Sequence, residues 1–321
     1  MGFKYYSGMI MQLAPSFIDR GDLQDWNYTN IDNGKVRLDK YIGASPEVYV
    51  PRVNGQSVIQ ASAFYNMKSI TSVDCQNVPP FTFGSSFTFY NCTELRSVMN
   101  LSDSITNMHK SFQSCDNFNY PVKIPQNTVI MNGTFFNCSS FNSPISIPNK
   151  VEDMYQTFSH CPIFNQPVEI SNSVTNMHSC FWNSPSFNQP MNIPDSVINM
   201  RLTFENCWSL NASITIGNGP NLTMYRAFYG CNSLNSAITI GTGVVNLQST
   251  FDSCTDFSNT ITIYSTEVTN SQYMFNNTSK SKQVYIYFQY ANGVNTKTYN
   301  RLSPWNGKNG VTLHDLGTAP W

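Results

Sequence analysis

Nine cysteines and four histidines are the residues of this chain whose chemistry could include metal binding, disulfide formation or nucleophilic attack. Seven of the cysteines, Cys92, Cys115, Cys138, Cys161, Cys207, Cys231 and Cys254, recur at intervals of 23 or 24 residues, with one copy skipped after Cys161. Cys75 and Cys180 fall outside that series. Equivalent cysteines stacked at a strand spacing would approach the Cα separation of roughly 4.4 to 6.8 Å that a disulfide needs. An odd count and side chains that all point the same way favour reduced thiols instead, acting as small buried hydrophobes. No CxxC pair or Cys/His cluster has the spacing of a zinc site. His109 and His178 share a repeat position three copies apart, roughly 14 Å at strand spacing, too far to share a proton or an ion. There is no GxSxG elbow, no GxxxxGK[ST] loop and no recurring acidic pair. The residues therefore predict a protein that is not an enzyme, with no cofactor, no metal and no catalytic side chain.

The cysteine spacing belongs to a longer repeat. "TFFNCSSFNSPISI", "TFSHCPIFNQPVEI" and "TFENCWSLNASITI" are three copies of one unit. Its first Phe recurs as Phe89, Phe112, Phe135, Phe158, Phe181, Phe204, Phe228, Phe251 and Phe275, and Phe64 reads as the start of a degenerate earlier copy. Four residues earlier stands Met108, Met131, Met154, Met177, Met200, Met224 or Leu247, and six later Phe118, Phe141, Phe164, Phe187, Leu210, Leu234 or Phe257. Apolar pairs spaced by two follow, such as Ile145 with Ile147 and Ile214 with Ile216, the pattern of a short strand with one face inward. A fixed period in the 20s predicts a solenoid of about nine coils, each covered only by its neighbours. Strand pairing would run the coils into one parallel sheet roughly 43 Å long. Asn119, Asn142, Asn165, Asn188, Asn211 and Asn235 form another series, expected to bond the backbone of adjacent coils.

The ends depart from the repeat. Residues 1–47 contain "IDNG" between two short strand-like runs and are assigned as an N-terminal cap or attachment segment. Residues 48–280 form the solenoid. Residues 281–321, with "KQVYIYFQYANGVNTKTY" reading as a hairpin before an irregular Gly-rich tail, form a C-terminal cap or docking segment. Only 12% of the 321 residues are charged and the net charge is −1, so neither a nucleic-acid footprint nor a polybasic membrane patch is expected. No run approaches the roughly 20 apolar residues that span a bilayer, and the N-terminus does not read as a signal peptide.

The unit "CPIFNQPVEISNSVTNMHSCF", approached through "YVPRVNGQSVIQASAFYNM", resembles the BspA-like bacterial leucine-rich repeats and the related Met-Phe-Cys repeats of surface lipoproteins. That resemblance implies a right-handed coil stack with short strands, irregular or short helical returns and capped ends. It also implies a structural or binding role: a phage virion component such as a fibre, tail or capsid decoration, or alternatively a bacterial adhesin. The partners implied are other virion proteins or a host cell-surface protein or glycan, with a homo-oligomer as the assembly. The location implied is a virion or extracellular surface.

Binding residues should lie where the repeat varies. The residues between the paired apolar positions, Lys123, Ser146, Glu169, Asn192, Thr215, Thr239 and Thr262, should form one outward row. A second row follows the first Phe and holds Phe136, Trp182 and Tyr229, aromatics suited to stacking on sugars or entering a protein interface.

Overall fold

The computed structural model describes residues 23–31, 35–52, 57–60, 62–80, 89–265, 267–278, 280–286, 297–305 and 307–315. Ten phenylalanines, from Phe64 to Phe275, stack ring on ring through the centre of a solenoid, each 5.0 to 5.8 Å from the next. Phe64 thus belongs to a full coil at the head of the column. Where a unit carries a second aromatic, it flanks the first, as in Phe135 with Phe141 at 4.4 Å. Both columns are buried, so each ring is covered by the coils on either side of it.

A tight turn wraps each Phe, and its backbone groups divide their hydrogen bonds by parity. Around Phe135, the N–H groups of Thr134, Phe136 and Cys138 donate within the coil, to Met131, Gly133 and Phe135. Those of Met131, Gly133, Phe135 and Asn137 donate to the next coil, to Asp153, Tyr155, Thr157 and Ser159. The same alternation recurs along the stack, so a turn that would strand its polar groups in the core satisfies them instead. The geometry requires a left-handed residue two before and two after the Phe, for example Gly133 (φ 61°) with Asn137 (φ 57°) and Leu202 (φ 54°) with Asn206 (φ 60°). Asn, which tolerates this conformation best after Gly, holds the second site in most coils.

Opposite the turns run short strands. At the N-terminal end β1 (Trp26–Ile31) pairs antiparallel with β2 (Lys35–Tyr41), and β2 pairs parallel with β4 (Val58–Ile59). The turn expected at "IDNG" lies outside the described residues, but the two strands it would join are present. β3 (Glu47–Tyr49), β5 (Ser72–Asp74) and β6 (Ser97–Met99) form a parallel trio. β7 (Met191–Ile193), β8 (Ile214–Ile216), β10 (Ile238–Ile240) and β12 (Thr260–Ile263) begin a six-stranded parallel sheet completed by β13 (Lys282–Ile286) and β14 (Val311–Asp315). β9 (Leu222–Thr223) and β11 (Val244–Asn246) make a separate pair.

Two expectations need correction. The single sheet is interrupted: residues 122–124, 145–147 and 168–170 keep the outward and inward alternation but are not strands. Proline explains the break. Where Gly217 and Gly241 donate their N–H groups to Ile193 and Ile216 of the preceding coil, Pro125 and Pro148 have no N–H to give. β7, bracketed by Pro190 and Pro194, sits at the sheet edge, where proline is tolerated. The second correction concerns the tail. β13 is not half of a hairpin, for it pairs parallel with both β12 and β14, and "KTY" opens a short helix, α1 (Lys297–Leu302). The open edge of β12 supplies unpaired groups that draw the tail into the ladder. The returns of the coils are turns, not helices.

Candidate binding face

The outward strand row is placed as expected from the sequence. Lys123, Ser146, Glu169, Asn192 and Thr215 are exposed, Thr239 and Thr262 half-buried, and the residues on either side of each turn inward. Within the sheet the row is in register from Asn192 through Thr215 and Thr239 to Thr262. It then continues to Tyr285 and His314, whose rings stack at 4.6 Å. Sequence reasoning missed this pair: Val284, Tyr285 and Ile286 follow Ile261, Thr262 and Ile263 at the 23-residue period, but His314 stands 29 residues beyond Tyr285, off that period. Lys123 lies 3.9 Å from Asp103, both largely exposed, so this ion pair adds little to stability.

The aromatic row is less open than its residue types suggest. Phe136, Trp182 and Tyr229 are all half-buried. The His160 ring stands between Phe136, at 5.1 Å, and the edge-on indole of Trp182, at 4.8 Å. Ser159 Oγ lies 3.0 Å from its Nδ1, and Asn183 Nδ2 lies 3.1 Å from its Nε2. Burial lowers the His160 pKa, which keeps the imidazole neutral at neutral pH. Tyr229 is covered by the Arg226 guanidinium, 4.0 Å above its ring, and Arg226 Nε in turn lies 3.0 Å from the buried Glu205 carboxylate. Burial raises the Glu205 pKa, and Arg226 opposes that rise. These rings are engaged with neighbouring coils because each turn folds its residue after the Phe onto the turns beside it. More open faces belong to Tyr65, which stacks on Tyr90 at 5.0 Å, and to Tyr273.

The cysteines are part of the frame. All nine are free and buried. Cys115, Cys138 and Cys161 each direct the thiol at the carbonyl of the first Phe one coil back, at 2.9 to 3.1 Å. Where the column lacks a cysteine, Ser184 Oγ donates to Phe158 O at 2.7 Å. Burial raises every thiol pKa in the column, that of Cys161 to about 12. Thiols held this firmly in the protonated form are neither nucleophiles nor metal ligands at neutral pH. Among the described residues no cluster of His, Cys, Asp and Glu could hold a metal ion. The asparagine series forms a continuous ladder: each side-chain carbonyl, from Asn119 to Asn235, accepts the backbone N–H of the equivalent residue in the next coil at 2.8 to 2.9 Å.

The family described as "Mycoplasma protein of unknown function, DUF285" matches over residues 83–194, 169–240 and 193–288, which together span most of the repeat array. The chain belongs to the DUF285 family. Three solved structures are similar to this DUF285 chain. A leucine rich repeat protein of T. pallidum shares 19% identity, covering 59% of this chain and 89% of its own, with a TM-score of 0.45. A leucine-rich repeat protein from Bacteroides ovatus shares 16% identity, covering 91% and 98%, with a TM-score of 0.45. A leucine rich cell surface protein from Faecalibacterium prausnitzii shares 16%, covering 92% and 94%, with a TM-score of 0.42. No curated protein matches the chain. The DUF285 chain is a solenoid of stacked coils with short parallel sheets, and no helix among its described residues is long and apolar enough to cross a membrane.

Proposed function

We propose that this chain is a non-enzymatic scaffold that displays a binding face on the outside of a cell or a virus particle, as a surface adhesin or a virion component. The outward strand row carries this reading. The row sits on a frame whose buried rings and hydrogen-bond columns repeat from coil to coil, while its outward residue runs from Lys123 through Ser146, Glu169 and Asn192 to Thr215, Thr239 and Thr262. A varied face on a rigid stack is the arrangement of solenoids that bind extended partners. The ligand is a protein or a glycan of the surface it meets, and the two unlike ends attach the array or pair it with further copies.

Peptide mass spectrometry on purified virus-like particles and on washed envelopes of the source culture tests the placement. Stoichiometric recovery in particles makes the chain a virion component, and recovery in envelopes makes it an adhesin. Recovery in the soluble lysate alone defeats both. The face is tested by Asn192→Arg with Thr215→Arg, which should abolish attachment to host cells and leave the melting temperature within about 2 °C.

A further inference from the structure

We propose that the notch between the last coil and the C-terminal cap binds an acidic sugar residue, at a site separate from the repeat face. The column of Met and Leu four residues before each Phe ends at Ser271. That exchange docks the cap: Ser271 Oγ donates to Arg301 O at 2.7 Å, and Ser271 O accepts from Trp305 Nε1 at 3.1 Å. Beside the docking point opens a cavity of about 520 Å³, within the range usual for small-molecule sites. Asn270, Gln272, Asn300, Arg301, Trp305 and Lys308 line it.

Each part of that lining suits a different part of one ligand. The Trp305 indole is fixed by its N–H bond and by the Phe275 ring, edge-on at 5.8 Å, so its remaining surface is a preformed platform. A pyranose offers such a platform its face of C–H groups. Asn270 is fixed too, its Oδ1 accepting from Gln272 N at 3.0 Å and its Nδ2 donating to Gln248 at 2.9 Å. The amides of Gln272 and Asn300 are left beside the platform as partners for sugar hydroxyls. Arg301 and Lys308 are the charged residues of the described lining, which holds no carboxylate, and neither forms an ion pair with another described residue. A sugar carboxylate satisfies both, with the guanidinium able to take it through two parallel bonds. A neutral sugar leaves the cations unanswered, and a bare inorganic anion leaves the indole unused.

The test follows the Trp305 indole N–H resonance of the full chain, assigned with Trp305→Phe, during titration with methyl glucuronide, N-acetylneuraminic acid, methyl glucoside and sodium sulfate. Saturable shifts with an acidic sugar, at least tenfold weaker with methyl glucoside and with sulfate, are expected. Arg301→Gln with Lys308→Gln, which removes two exposed charges and no packed group, should weaken the acidic sugar at least tenfold with an unchanged melting temperature. Equal response to the neutral sugar, equal response to sulfate, no shift by 50 mM of either acidic sugar, or full binding by the double variant would each overturn the proposal. None of these outcomes bears on attachment through the strand row.

Discussion

A first-Phe carbonyl in this stack accepts twice: from the backbone N–H of the Cys three residues on, and from the thiol of the next coil, as Phe135 O does from Cys138 N and Cys161 Sγ. The cysteine therefore fills space and supplies a donor, and Ser184 shows that a hydroxyl does the same. Cys161→Ser and Ser184→Cys should each cost under about 1 kcal/mol in urea unfolding, since either partner keeps the bond. Thiol titration of unfolded, unreduced protein should find all nine cysteines free, and three or four bridges would refute this assignment. The Phe column is less forgiving. Phe158 contacts Phe135, Phe164 and Phe181 with no exposed surface, so Phe158→Ala should cost about 3 to 5 kcal/mol. A loss below 1 kcal/mol would mean that the neighbouring coils collapse into the gap.

Among the elements, the strands differ by whether a proline interrupts them. Amide hydrogen exchange should find Gly217, Gly241 and Tyr264 strongly protected, because each donates to the preceding coil within the sheet. Residues 122–124, 145–147 and 168–170 should exchange faster, and equal protection would show that the proline breaks do not loosen the stack. This contrast also marks what the sequence makes legible. The Phe, Cys and Asn columns are legible because a side chain that must stack on its own equivalent leaves a strict period. Strand pairing depends on backbone donors, so its clue is the change from "SPISIP" to "ASITIG", a substitution of proline that apolar alternation does not register. The half-burial of Phe136, Trp182 and Tyr229 depends on the left-handed turn, which non-glycine residues adopt here only because neighbouring coils satisfy its backbone. Tyr285 keeps the repeat position 23 residues after Thr262, whereas His314 is placed by a last strand that joins the sheet edge off the period.

At the scale of the whole molecule the buried thiols couple folding to alkaline pH. Burial raises their pKa values from an ordinary 9.0, to about 12 for Cys92 and Cys161. A thiol so raised is protonated in the fold and ionised in the unfolded chain, so its contribution is complete below pH 9 and is lost as pH climbs from there toward 12. Each contributes a slope of about 1.4 kcal/mol per pH unit across that window. All nine cysteines are free and buried, and burial raises each of their pKa values, so their contributions act in the same direction. Lys282 acts in the opposite sense: burial lowers its pKa to about 8, so the unfolded chain binds the extra proton and stability rises with pH between about 8 and 10.5. One lysine against nine thiols leaves the balance falling. The stack should therefore lose stability as the pH rises above about 9, the ordinary thiol value, and unfold cooperatively in alkali. Circular dichroism from pH 7 to 11 measures this, and a chain with Cys115, Cys138, Cys161 and Cys207 changed to Ser should hold its fold to higher pH with a shallower slope. An unfolding midpoint that does not move in that variant would show that alkali acts elsewhere than on the thiol column.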